Sequence, residues 1–364
     1  MKRSNLFWTV NLIAGLSLFA FACQEEAKTV KKVEAELVAE AADGKYPYQR
    51  LSTYGFFEGQ INQLLPAENV ILYQPASSLF TDYALKNRYV YFPAGEKAQL
   101  VADNLEFPEG TVIIKNFYYP SDFREPEGDR RIIETRLMVN SEKGWEAFPY
   151  IWNEKQTDAV LKVVGGQTEV KFVDYSGKDQ VINYIIPNKN QCKTCHNISE
   201  EMAPIGVKVK HLNNEFDFGT GKINQLAHWT ALDKLEGFEG TEAHPAMINY
   251  EEANLPLNDR AMAYLDINCA HCHSSEGSAS TSGLFLTYDQ TDLMKLGVNK
   301  TPIAAGIGAG RFKFDVSPGN ANESIMTHRM NSTQVGVAMP ELGRTTVHQE
   351  GVALIRDWIN SMKP

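Results

Sequence analysis

The stretch NDRAMAYLDINCAHCH, residues 258–273, combines a helical pattern with a cofactor-attachment pattern, and the rest of the chain is best read outward from it. Asn258 or Asp259 supplies a helix cap, and the apolar spacing that follows predicts a helix running to Asn268. Directly after it, Cys269 and Cys272 stand two residues apart and His273 follows at once. Two thiols at that spacing reach the two vinyl groups of one porphyrin, and the adjacent histidine is brought beneath the iron as an axial ligand. The same pattern occurs earlier as Cys192-Lys-Thr-Cys195-His196. Two covalently attached haem c groups are therefore expected. The competing reading is a zinc tetrathiolate built from the two Cys-x-x-Cys pairs. Against it, the gap between the pairs far exceeds the roughly 15–20 residues of a zinc ribbon, and each pair is followed by histidine.

For the second haem, with His273 as proximal ligand, Met339 in Val337-Ala-Met-Pro-Glu-Leu-Gly343 is the expected distal ligand, because it lies in a Pro-fixed loop shortly before the last helix. Met330 and Met326 fall in Ser324-Ile-Met-Thr-His-Arg-Met330, which reads as a helix, so core packing competes with ligation there. Thr346-Val-His-Gln349 has the form of a capping box and opens a helix to about Met362, with Val347, Gly351, Ile355, Trp358 and Met362 on one apolar face. For the first haem, His196 is the proximal ligand, and the preceding Ile186-Pro-Asn-Lys-Asn-Gln191 does not read as a helix. Its sixth position has three candidates, Met202, His211 and His228, the last in a helical segment, 224–229; an open five-coordinate iron is the other option. His271 reads as an exposed spacer, His348 as a surface residue, and Ala305–Gly310 as a tight loop near a haem. Arg311 and Arg329 are either propionate partners or solvated surface arginines.

Upstream of the haem motifs, residues 46–188 have a β-rich texture broken by Pro, Gly and Asp turns. Strands are expected over 88–92, 111–119, 132–139, 145–152, 159–164, 168–174 and 181–186. In one of them Val170 and Phe172 alternate with Glu169 and Lys171, as in a half-buried strand. The expected class is α+β: an antiparallel β-sandwich or barrel (46–188), then a mainly α-helical cytochrome c-like region. That region comprises a first haem-binding segment (189–250) and a class I cytochrome c-like domain with the second haem (251–364).

The first 22 residues follow a secretion-signal layout, Met-Lys-Arg and then an apolar run too short to be a comfortable span of roughly 20 residues. A permanent anchor helix is the alternative. Ala20-Phe-Ala-Cys23 resembles the lipobox of bacterial lipoproteins, which predicts lipidation of Cys23 and a membrane tether over 23–45; a free Cys23 thiol is the competing outcome. The five cysteines are then accounted for by one lipid site and two haem motifs, leaving none for disulfides. A formal charge of −10 and the lack of a Lys/Arg-rich block exclude nucleic acid as a partner class.

Several segments resemble a largely uncharacterised family of bacterial diheme c-type cytochromes. They are Ala263-Tyr-Leu-Asp-Ile-Asn-Cys-Ala-His-Cys-His273, Pro318-Gly319 with Ser324 and Arg329-Met330, Met339-Pro-Glu-Leu-Gly-Arg344, and Gly351-Val-Ala-Leu-Ile-Arg-Asp-Trp-Ile359. Upstream, Leu79-Phe-Thr-Asp-Tyr-Ala-Leu-Lys86, Phe107-Pro-Glu-Gly-Thr111, Thr135-Arg-Leu137 and Cys192-Lys-Thr-Cys-His196 extend the likeness over most of the chain after the tether. The resemblance implies haem binding and electron transfer and names no substrate. Together with the leader and Cys23, the expectation is an exported, lipid-anchored carrier at the cell envelope, facing the periplasm or the outer surface, that passes electrons between donor and acceptor proteins. A diheme peroxidase with an open first haem is the alternative. A third possibility is a binding module, in which the β-domain recognises a polymer or protein.

Overall fold

The computed structural model describes residues 46–219 and 221–363, so the expected signal peptide, Cys23 and tether lie outside the described residues. Contacts divide the chain after Gly55. The described end of the first unit is a 3-10 turn, Leu51–Tyr54, in which Tyr48 N–H donates to the Tyr54 hydroxyl at 3.1 Å. The second unit, Phe56–Pro364, contains both expected haem segments and the β-rich region.

The class is α+β, as expected, with sheets that are mostly antiparallel. Ten strands precede the first haem motif: β1 Val70–Tyr73, β2 Leu85–Tyr91, β3 Ala98–Val101, β4 Asn104–Glu106, β5 Val112–Pro120, β6 Arg130–Ser141, β7 Gly144–Trp152, β8 Ala159–Leu161, β9 Gly166–Val173 and β10 Asp179–Ile186. All seven expected strands are among them. The main sheet runs β1-β2-β5-β6-β7-β8, entirely antiparallel, with β1 and β8 as its edges. It is thus open and not a closed barrel. The β9–β10 hairpin forms a second small sheet, with Val170 and Phe172 buried and Glu169 and Lys171 exposed, as the alternation predicts. Strand β5 alternates much less, because both faces of the sheet are covered: Val112, Ile113 and Ile114 are all buried.

The sheet packs against both the β9–β10 hairpin and the region after Pro187. At one end, Phe117, Tyr119 and Ile133 pack on Val170, Phe172, Ile182 and Tyr184 of the hairpin. At the other end, Tyr73, Phe92, Ile113 and Met138 pack on Cys192, Leu212, Leu226 and Trp229. These last residues come from three short helices, α1 Lys189–Cys195, α2 Val209–Leu212 and α3 Gln225–Ala231. The expectation of an irregular approach to Cys192 is corrected: α1 begins at Lys189 behind a capping box, in which Asn188 Oδ1 accepts from Gln191 N–H and Gln191 Oε1 accepts from Asn188 N–H, both at 2.9 Å. Gly165 lets this helix approach β9, since its φ is +70° and a Cβ there would strike the Ile186 carbonyl and the Asn188 nitrogen.

The second helical cluster is built from α4 Leu257–Leu265, α5 Ile325–Met330 and α6 Gln349–Ser361. Helix α4 continues through a π-helical turn, Asp266–Ala270, so its geometry changes as it delivers Cys269. The expected face of α6 is buried at Gly351, Ile355 and Trp358. Gly351 packs so closely on Tyr264 that a Cβ would overlap the phenol ring. Two expected caps are corrected. Pro256 precedes α4, and Asn258 instead accepts a bond from Trp358 Nε1 at 3.1 Å; Thr346 donates its hydroxyl to Asp82 at 2.8 Å and leaves α6 without a side-chain cap. The region after residue 188 is less helical than expected: of its six described α-helices all but α6 are short, and long loops between them wrap cavities lined by the cysteine–histidine motifs.

Candidate functional site

Each motif holds its histidine by the same device. His196 Nδ1 lies 2.9 Å from the Ala203 carbonyl, and His273 Nδ1 lies 3.2 Å from Ser282 Oγ. A partner on Nδ1 fixes the ring and would leave Nε2 as the nitrogen able to ligate a metal. Burial pushes both imidazoles down, to about 3 for His196 and about 4 for His273, so both are neutral at pH 7, the form that ligates iron. The backbone supports the geometry, with His196 N–H donating to Cys192 O at 3.0 Å and His273 N–H to Cys269 O at 2.9 Å. The donor set of each motif therefore fits a covalently attached haem.

Around His273 is a cavity of about 390 Å³ that also exposes Cys269 and Cys272. Met339 lines it, as do Met326 and Met330. The loop that carries Met339 is held by Arg344, whose Nη2 donates to the carbonyls of Met339 and Ser332, both at 2.8 Å. Asp82 then fixes the end of this loop. Its buried carboxylate accepts from the backbone N–H and the hydroxyl of both Thr345 and Thr346, at 2.7–3.0 Å. From the same segment, Phe80 N–H donates to Asn268 Oδ1 at 2.8 Å, beside Cys269. The residues 79–86 singled out in the sequence thus tie the β-region to both sides of this cavity.

A second cavity contains Cys192, Cys195 and His196, and its opposite wall is the sheet, at Lys115, Arg136 and Met138. None of the three expected sixth ligands is among its lining residues. Met202 packs at the edge of the sheet–helix core, in a short hairpin following His196. His211 is buried with Nε2 3.5 Å from Asp266 Oδ1. His228 stacks on Phe218 at 3.9 Å.

Between the two motifs, Cys195, His271 and Cys272 bring their ligand atoms within 4.8 Å of one another. Cys195 hydrogen-bonds to Cys272, and that contact with burial keeps the Cys195 thiol protonated, whereas Cys272, also bonded to His271, ionises more readily. His271 is thus no exposed spacer: it lines both cavities, and its buried Nδ1 has no hydrogen-bond partner among the described residues. His348 is likewise not a surface residue, being stacked on Phe80 at 4.2 Å with Nδ1 3.2 Å from the Tyr264 hydroxyl. Of the expected propionate partners, Arg329 lines the His273 cavity and packs against Gly308 of the glycine-rich loop, while Arg311 lies over Phe312.

Sequence reasoning missed Lys115, Arg136, Asp82 and Arg344 as site residues. All but Lys115 fell within segments that the family resemblance singled out. No known protein family, no curated protein and no solved structure matches the chain.

Proposed function

We propose that this chain is a diheme c-type cytochrome that transfers electrons at the bacterial cell envelope. The observation that carries this reading is the meeting of Cys195 and Cys272 at the boundary between two cavities, each with its own neutral histidine. Thioether bonds at these two cysteines would bring the edges of two porphyrins together, which favours electron exchange between them. A bound haem supplies one-electron chemistry at its iron. The chain supplies the rest: cysteines that anchor, Nδ1 contacts that orient each imidazole, and a methionine-bearing loop over the His273 cavity. Met339 is our assignment for the distal ligand there. Donor and acceptor proteins are the proposed partners, and lipidation at Cys23 the proposed attachment to the envelope. Acidic net charge favours partners with a basic docking patch, so association rates should fall as salt is raised.

One observation favours a second reading. Met202, His211 and His228 all lie away from the cavity of His196, and the Met330 and Met339 that border it also border the cavity of His273, so with Met339 assigned to the second haem an iron beside His196 would lack an assigned sixth ligand, as in a peroxidase. Absorption spectra of the haem-loaded protein, oxidised and reduced, with and without carbon monoxide, separate the two. Two low-spin haems indifferent to carbon monoxide support the dedicated carrier. One high-spin haem that binds carbon monoxide moves the assignment to an enzyme centred on His196.

A further inference from the structure

The sheet wall of the His196 cavity carries an excess of positive charge. In register across β2, β5 and β6, Arg88 pairs with Lys115 and Lys115 with Arg136, so three cations stand side by side on one face. Lys86 adds a fourth, one step along β2. Like charges directly opposite one another destabilise a sheet, and burial sharpens the cost. The carboxylates on hand are already engaged. Glu134 takes two bonds from Arg136 and a third from the Tyr184 hydroxyl, and Asp82 is saturated by Thr345 and Thr346. Arg88 donates to Gln74 Oε1 at 3.1 Å and Lys86 to the Ala84 carbonyl at 2.7 Å. The Lys115 ammonium has no hydrogen bond and no ion pair among the described residues, only the face of Phe117 at 5.1 Å. Burial and the neighbouring Arg88, Lys86 and Arg136 push its ammonium well below the ordinary range. Yet Lys115 and Arg136 line the cavity that holds Cys192, Cys195 and His196.

We infer that Lys115, backed by Arg88 and Arg136, receives a pair of carboxylates in that cavity, the propionates of the haem carried on Cys192 and Cys195. The inference rests on the haem reading above. Two carboxylates would offset the unmatched charge of the row and give Lys115 the acceptor it lacks. In the absence of propionates there, the same chemistry would bind a small free anion. The lysine also tunes the site, since a nearby cation stabilises the reduced haem and raises its reduction potential.

The test uses the full haem-loaded chain and its Lys115→Met, Lys115→Gln and Lys115→Arg variants, with peptide masses recorded before potentiometric titration. We expect haem mass on the peptide containing Cys192 and Cys195 in all four proteins. One of the two midpoint potentials should fall in Lys115→Met and Lys115→Gln and return in Lys115→Arg, with the other potential unmoved. A wild-type peptide without haem would refute the haem reading, and this inference with it. Haem-bearing Lys115→Met or Lys115→Gln protein with both wild-type potentials would overturn the inference alone. A wild-type potential that shifts with added sulfate at constant ionic strength, and a Lys115→Gln potential that does not, would assign the row to a free anion and overturn the propionate assignment.

Discussion

The two cysteine–histidine motifs are alike in sequence and differ in what surrounds them. Around His273 the chain places three methionines and a loop held by Arg344 and Asp82. Around His196 it places a β-sheet wall with lysine and arginine side chains and none of the first haem's expected distal ligands, although Met330 and Met339 border this cavity too. The lesson is that Cys-x-x-Cys-His specifies attachment, while the fold around it specifies what an attached iron would do. The His273 cavity has Met326 in addition to the two methionines that both cavities share; the His196 cavity has cationic side chains on the sheet.

The largest effect expected from this contrast is at Met339. In Met339→Ala, one haem should lose its far-red thioether-to-ferric-iron absorption and its midpoint potential should fall sharply, since methionine ligation raises the potential. Individual Met202→Ala and His228→Ala variants should leave both haem spectra unchanged. If either alters the spectrum of the first haem, the contrast between the sites fails.

Next in size is Asp82→Ala. It removes the acceptor for the N–H and hydroxyl groups of Thr345 and Thr346, and the destabilisation should be about 3 kcal/mol by denaturant unfolding. Because these residues end the Met339 loop, the spectrum of the second haem should change before that of the first.

His348 gives a pH dependence. Burial lowers its pKa from 6.5 to about 4 in the folded chain, so the unfolded chain binds the extra proton first as pH falls. Wild-type stability should therefore decline from about pH 6.5 toward pH 4, and a His348→Phe variant, which keeps the stack on Phe80, should lose less over that window. Equal slopes for the two proteins would remove His348 from the account.

The smallest effect is at the first site. Asn188→Ala removes one half of the capping box on α1 and should cost about 1 kcal/mol, without shifting the absorption of the second haem.

How much of this was legible in the sequence follows from how local each signal is. The strands and the apolar face of α6 are written in short-range periodicity and read correctly; the two Cys-x-x-Cys-His motifs are written in short-range spacing. Capping failed where a tertiary partner competed: Thr346 bonds Asp82 and Asn258 bonds Trp358, partners far along the chain. Helix α1 was hidden because Pro187 and three amide side chains suggested a loop, whereas Asn188 and Gln191 cap each other. The Arg88–Lys115–Arg136 row exists only through strand register, and each residue alone looks like an ordinary solvated strand position. The adjacency of Cys195 and Cys272 was equally invisible, since it depends on α1 and the π-helical end of α4 being brought together.

The most direct test of the central claim is the intact mass of the purified, exported protein under fully denaturing conditions, which strip any group that is not covalently bound. The account predicts the mass of the processed chain plus two haems. A mass with no haem, together with zinc recovered from the native protein in proportion to Cys195, His271 and Cys272, would contradict it and make the junction of the two motifs a metal site.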